Sequence, residues 1–177
     1  RHGGANLRVR SMMEDLKAGV KDWTDEDEIA GYLAGIIRKE HGDGSGLIYG
    51  FGHAIYTLSD PRAVILKRVA GKIAEEKNMM PEFELYKTVE KLTPSVFEKV
   101  KGSSKVICAN VDFYSGFVYD MLGIPSDLFT PLFAVSRIAG WCAHRIEEVT
   151  YGGRIIRPAY RSMVRSKKYI PISERNA

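Results

Sequence analysis

The chain has little of what a disulfide scaffold, a membrane protein or a nucleotide-binding α/β fold requires. Its 177 residues include two cysteines, Cys108 and Cys142, both in apolar surroundings. That excludes a cystine-stapled fold and predicts buried thiols in a reducing compartment. No apolar run approaches the roughly 20 residues of a membrane-spanning helix, and no signal-peptide pattern is present, so a cytoplasmic location without a membrane partner is expected. Pairs of alternating strands are missing, and so are internal repeats. Five glycines lie in the stretch from His41 through Gly52, but no strand precedes them and no Gly-Lys-Ser/Thr follows, which excludes a P-loop or a dinucleotide fingerprint. No initiator Met stands before Arg-His-Gly-Gly-Ala-Asn, the opening expected of a piece of something longer. His144, near Cys142, lacks the further ligands that a metal site needs, so no metal is expected and an exposed helix position is.

Charge is abundant but mixed. Lys and Arg number 26 against 22 Asp and Glu, giving a net charge of +4 and a pI near 9.0. Because the two signs are interleaved, they read as solvated helix faces. The densest basic run, from Arg161 to Lys168, lacks the aromatic interleaving of an RNA-binding surface, and no nucleic-acid partner is expected. A hydrophobic content of 45% in a chain of this length suits one globular domain or a lobe of a larger one.

Helical periodicity runs through the chain, and the fold class is all-α. Asn6 is placed to cap a first helix with Val9, Met12, Met13, Leu16 and Val20 on one face, ending near Gly19. Thr24 and Asp25, with Asp27 and Glu28, give overlapping capping boxes before a second helix reaching about Glu40. After the glycine-rich loop, Asp60 as N-cap and Pro61 at N1 predict a helix with Leu66, Val69, Ile73 and Ala74 on its face, stopping near Asn78. Pro81 opens another, with Phe83, Tyr86, Val89 and Leu92, and Pro94 to Val100 reads as a separate short helix. Asn110 leads into a helix carrying Tyr114, Phe117, Val118 and Met121, closed by Gly123 and Pro125. A final helix is predicted from about Thr130 to Glu147.

The stretch Gly50 to Arg62, GFGHAIYTLSDPR, places a histidine on a glycine turn and an arginine in the first turn of a helix. Both are suited to one anionic ligand. Gly52-His53 with Asp60-Pro61-Arg62 resembles the G-H-x(n)-D-P-R signature of citrate synthases. Three further segments are similar to that family in order: His2-Gly3-Gly4-Ala5-Asn6, Asn110-Val111-Asp112-Phe113-Tyr114-Ser115-Gly116, and Phe133-Ala134-Val135-Ser136-Arg137-Ile138-Ala139-Gly140, followed by Arg157-Pro158.

The resemblance implies condensation of acetyl-CoA with oxaloacetate and hydrolysis of citryl-CoA to citrate and coenzyme A. Asp112 matches the family's base, His2 its enol-stabilising donor and His53 the donor to the oxaloacetate carbonyl. Arg62, Arg137 and Arg157 match the arginines that hold the two carboxylates. Gly50, Phe51 and Gly52 are implied at the adenine of coenzyme A, and Lys105 at its phosphates. The chain departs from many members in having Ala54, Tyr56 and Thr57 where a basic residue follows the Gly-His pair. No permanently bound cofactor is implied. A homodimer is, because Arg157 matches a residue that reaches the neighbouring subunit's site. Residues 1 to 123 would be the small domain, and 124 to 177 the C-terminal part of the large domain.

Other readings stand beside these. 2-Methylcitrate synthase uses propionyl-CoA with the same groups, and a non-catalytic helical lobe serving binding or assembly needs none of them. Read without the resemblance, Asp112 is a helix cap, His53 is a loop residue satisfied by backbone, and Arg62 is a partner of Asp60 or Glu75. His41 reads as a loop residue, and His2 as one too near the start to be held.

Overall fold

The computed structural model describes residues 4–102, 106–151 and 170–171. Six helices account for most of them: α1 (Ala5–Gly19), α2 (Glu26–Arg38), α3 (Pro61–Glu76), α4 (Met80–Lys101), α5 (Val111–Met121) and α6 (Phe129–Tyr151). A single 3-10 turn, Ser126–Leu128, precedes α6. No strand occurs among the described residues, only an isolated antiparallel bridge between Phe51 and Ala109. The expected all-α class is what is found. None of the described helices is long and apolar enough to cross a membrane.

Local signals set most helix starts. The Asp25 side chain accepts from the backbone N–H of Asp27 and Glu28, and Glu26, Asp27 and Glu28 place negative charge at the positive end of α2. Lys39, at φ 70°, turns the chain out of α2 after Arg38, short of the predicted Glu40. Gly4 rather than Asn6 is the N-cap of α1. Asn6 lies inside the helix, 5% exposed, where Gly116 of α5 comes so close that an added Cβ would sit 3.0 Å from the Asn6 carbonyl oxygen. Tight packing there decides against a solvated cap.

Two helices differ from the periodic reading in an instructive way. In α3 the buried face is Ala63, Ala70 and Ala74, while Val69 is 42% exposed. The small residues let α3 lie close against α5, with Leu66 and Ile73 half-buried against the core and Val64, Ile65 and Val69 exposed. In α4 the chain continues through Pro94, uniting the two helices predicted on either side of it. An interior proline costs about 3 kcal/mol. Val89, Thr93 and Val96 are buried around it, and the Thr93 hydroxyl donates to the Val89 carbonyl at 2.7 Å. Burying that face offsets the missing backbone bond.

The core is contributed by α1, α2, α4 and α5, with Val9, Met13, Leu16, Ile29, Leu33, Val89, Phe113 and Tyr114 fully buried. Tyr86 stacks on Phe117 at 4.7 Å and contacts Phe113 at 5.3 Å. At the rim of this core, Glu90 of α4 accepts from Lys67 of α3 and from the Tyr114 hydroxyl of α5, tying three helices at one carboxylate. Arg10 holds Asp120 at 2.9 Å, joining α1 to α5. His41 is better placed than a plain loop residue: its ring stacks on Tyr32 at 4.6 Å in the space left by Gly35.

The described residues fall into two compact units that part between Ile138 and Ala139. Along α6 the apolar side chains Leu132, Val135, Ile138, Trp141, Ile146 and Val149 are exposed. Cys142 is exposed with them and Cys108 is half-buried, so neither is the fully buried thiol predicted. The apolar neighbours of Cys142 in sequence are its neighbours along an uncovered helix face. His144 is exposed as expected, 3.5 Å from Glu147 one turn on.

The glycine loop is fastened to the chain before α5. Gly52 N–H donates to the Cys108 carbonyl at 2.9 Å, Asn110 N–H to the Gly50 carbonyl at 2.8 Å, and the Asn110 side-chain amide to the Gly52 carbonyl at 3.0 Å. Gly50 has φ +82°, and a Cβ there would stand 2.8 Å from Phe113 Cβ and 2.9 Å from its Cα. Gly52 has φ +84° but open space around it. Gly52→Ala is therefore expected to cost only the left-handed strain, about 1 to 2 kcal/mol. Gly50→Ala adds overpacking of about 1 to 3 kcal/mol. Urea titration of the two variants checks the difference; equal midpoints would mean that Phe113 yields freely.

Candidate active site

Two histidine contacts define the ring of His53. Its Nδ1 accepts from the backbone N–H of Ile55 at 3.0 Å and of Tyr56 at 3.2 Å. A nitrogen that accepts carries no proton, so the neutral ring bears its hydrogen on Nε2. The backbone-satisfied reading of His53 thus describes one nitrogen only. Nε2 faces Arg62 Nη2 at 3.4 Å. In this tautomer both atoms are donors, and they lie close enough together for one acceptor oxygen to receive both.

Arg62 is set in place by Asp60. The carboxylate accepts Arg62 Nε at 3.0 Å and Nη2 at 2.8 Å, and also the Arg62 backbone N–H at 3.0 Å as the cap of α3. The Asp60 side chain is fully buried, while that of Arg62 is 52% exposed. One end of the guanidinium is thus anchored and the other is free to meet a ligand. The Arg62 hydrogen bond holds the Asp60 carboxyl below its usual range against the opposing effect of burial, and the Arg62 pKa is raised in turn by Asp60. Arg62 pairs with Asp60 and not with Glu75, and the pairing leaves Nη1 and the second Nη2 hydrogen for an anionic ligand.

Asp112 is not the helix cap. Asn110 takes that role, its Oδ1 accepting the Asp112 backbone N–H at 3.0 Å. The Asp112 carboxylate, at the second position of α5, is half-buried and accepts no hydrogen bond among the described residues. Burial pushes its pKa up; the Arg62 charge opposes this and Asp60 adds to it. A carboxylate left unpaired and made more basic by its surroundings is chemically a base. Cys108 is close by, its Sγ 3.7 Å from the Tyr56 carbonyl, but burial raises the thiol pKa, which makes it a poor nucleophile.

Beside the glycine loop lies an open, mainly apolar cleft of about 240 Å³ lined by Gly46, Leu47, Ile48, Phe51, Gly52, Phe97 and Ile107. Phe51 meets Phe113 edge to face at 4.8 Å, which fixes one wall of the loop against α5. Gly50, Phe51, Gly52, His53, Arg62 and Asp112 are thus brought to one region by the seam and by the start of two helices. Arg137 is not seen to join them: it is exposed on α6 with its guanidinium 5.7 Å from the Phe133 ring. His2, Lys105 and Arg157 lie outside the described residues.

Sequence reasoning took Asp60 only as a helix cap or salt-bridge partner, and it missed that Asn110 is both cap and seam. Asn-x-Asp ahead of an apolar helix was the available signal for Asn110. Tyr56, whose ring touches His53 and Arg62, carried no signal at all.

The two carboxylates are expected to affect stability with opposite signs. Asp60, with a lowered folded pKa, contributes stability above its unfolded value near 3.8, which is lost as pH falls through the folded one. Asp112, with a raised folded pKa, holds its proton more tightly when folded, so its ionisation costs stability as pH rises through that value. Asp112→Asn is therefore expected to unfold in urea at pH 7 at or above the wild-type midpoint, and Asp60→Asn to show a shallower loss below about pH 4. A lower midpoint for Asp112→Asn would assign that residue a structural role.

Comparison with known proteins places this geometry in a family. Residues 1–159 match the profile described as citrate synthase, C-terminal domain. A citrate synthase of Acidithiobacillus ferridurans is 38% identical over 178 residues, covering 98% of this chain and 41% of its own length. A 2-methylcitrate synthase of Shewanella oneidensis is 37% identical over 176 residues, with 98% and 41% covered. The solved citrate synthase of Thermoplasma acidophilum, a ternary complex with carboxymethyl coenzyme A and oxaloacetate, superposes with a TM-score of 0.65 at 34% identity over 98% of this chain and 42% of that one. The chain spans about two fifths of the length of the relatives it matches. An all-α fold, a loop histidine beside an arginine of the helix that follows, an unpaired carboxylate at the start of α5 and these matches together show that the chain belongs to the citrate synthase family.

Proposed function

We propose that this chain supplies the catalytic half-site for condensing acetyl-CoA with oxaloacetate and hydrolysing citryl-CoA to citrate and coenzyme A. The observation that carries the reading is the closeness of His53 Nε2 and Arg62 Nη2, 3.4 Å apart, within electrostatic reach of the unpaired Asp112 carboxylate. Asp112 removes a proton from the thioester methyl, a very weak acid, while His2 donates to the developing enolate oxygen. The His53 Nε2–H polarises the keto oxygen of oxaloacetate, and the enol carbon attacks that carbonyl carbon. Water then cleaves the citryl thioester. Arg62, with Arg137 and Arg157, binds the two carboxylates through planar forks. The cleft along Gly50, Phe51 and Gly52 accepts the adenine of coenzyme A, with Lys105 at the phosphates and no permanently bound cofactor.

In this reading residues 1 to 123 form the small, coenzyme A-binding domain, and residues 124 to 177 belong to the large domain. Arg157 completes the site of a neighbouring subunit in a cytoplasmic homodimer. The exposed apolar face of α6 supports the division, since it is of the size and character that other elements cover.

The test is thiol release from acetyl-CoA in the presence of oxaloacetate. It is run on the chain alone and on a chimera in which the chain replaces the matching segment of the Thermoplasma acidophilum enzyme. The chimera is expected to turn over and the chain alone to be at least about 100-fold slower, because positioning across the complete site is lost. Asp112→Asn in the chimera is expected to lower kcat by about 100-fold or more. Arg62→Lys is expected to raise the oxaloacetate Michaelis constant by about 10-fold or more, because lysine lacks the fork. A folded chimera without activity would sink the assignment. The Shewanella relative favours a second reading, 2-methylcitrate synthesis, and a higher kcat/KM with propionyl-CoA than with acetyl-CoA would select it. Calorimetry showing that neither oxaloacetate nor coenzyme A binds would leave a non-catalytic helical lobe.

A further inference from the structure

We propose that Tyr56 is a positioning residue, its ring holding His53 and Arg62 in the paired arrangement that receives the keto acid. The inference rests on the reading of those two residues as ligands of oxaloacetate.

Two donors that face each other at 3.4 Å with no acceptor between them have no attraction to keep them there. Arg62 is tethered through its Nε and Nη2 edge by Asp60, which leaves the faces of the guanidinium to other contacts. The Tyr56 ring lies against that plane, its centroid 5.6 Å from Arg62 Cζ, where the negative π face favours the cation. The same ring meets the His53 imidazole, centroids 4.8 Å apart at an interplanar angle of 36°. Its backbone N–H is one of the two that keep Nδ1 unprotonated. Tyr56 therefore touches both partners, one by its face and one by ring and backbone together.

The core does not account for this ring. Tyr56 is half-buried and belongs neither to the buried cluster nor to the apolar side chains packed against it. Its neighbours Ile55 and Leu58 are 78% and 81% exposed, so the loop around it is not tied down by packing. Between His53 and Asp60 the loop carries no charge that competes for Arg62.

Tyr56→Phe, which keeps the ring, and Tyr56→Leu, which removes it, separate the possibilities. The first measurement needs no substrate: proton–nitrogen correlation spectra of the imidazole ring in the 177-residue chain. Wild type and Tyr56→Phe are expected to show His53 as a single Nε2–H tautomer, and Tyr56→Leu a broadened or mixed population. The second is steady-state kinetics in the chimera. Tyr56→Leu is expected to raise the oxaloacetate Michaelis constant about three- to tenfold, the loss of an exposed cation–π contact and of ring order, with kcat and the acetyl-CoA constant within about twofold of wild type. Thermal midpoints are expected to stay together. Unchanged ring spectra in Tyr56→Leu would overturn the proposal, as would a Tyr56→Phe variant as impaired as Tyr56→Leu. A fall in kcat that tracks a fall in thermal midpoint would assign Tyr56 a merely structural role. If wild-type chimera shows no dependence on oxaloacetate, the catalytic reading fails, while the ring spectra still decide the role of Tyr56.

Discussion

Three hydrogen bonds between the glycine loop and the residues before α5 are the constraint on which the site depends. The Gly50 and Gly52 carbonyls, the Gly52 N–H and both Asn110 amide groups take part in them. This short seam does what a sheet would do elsewhere: it fixes two distant segments in register without a regular ladder. Because Asn110 also caps α5, the same residue that anchors the loop aims the first turn carrying Asp112. A glycine at position 50 is required by the close approach of Phe113. The distance between loop and helix is therefore set by backbone contact.

Charge in the site is handled by division of labour. The fully buried Asp60 is offset by Arg62, whose hydrogen bonds keep it ionised in spite of burial. Burial, with the Asp60 charge adding to it, holds the Asp112 carboxyl above its ordinary range against the pull of Arg62. A base and an anion-binding cation can then coexist at close range. The helix starts contribute as well: Asp60 and Asn110 spend their side chains on the first turns of α3 and α5 and so bring both turns to the same loop.

The apolar face of α6 stands apart from this economy. Residues from Leu132 to Val149 that would serve a core are exposed, while Phe129 just before them is fully buried. The helix is as apolar as a core helix and is covered like a surface one. A family relative with more than twice this length has the material to cover it, which is consistent with the proposal that α6 belongs with the larger domain.

By itself the sequence determined the helical class, the caps at Asp25 and Asp60, the glycine stop after α5, and the candidate residues that the family signature singles out. These are local: they depend on spacing within a turn or two and on side chains that bond their own backbone. Tertiary structure alone decided that Ala63 and Ala70 of α3 are buried and Val69 is not, since α3 packs closely on α5, while the predicted Leu66, Ile73 and Ala74 do face the core. It decided that α4 runs through Pro94, because burial on both sides outweighs one lost hydrogen bond. It decided that Asn110 also ties the glycine loop to α5, and that His53, Tyr56 and Arg62 meet. Each of these turns on contacts between groups brought together by folding, and such contacts leave no period in the chain.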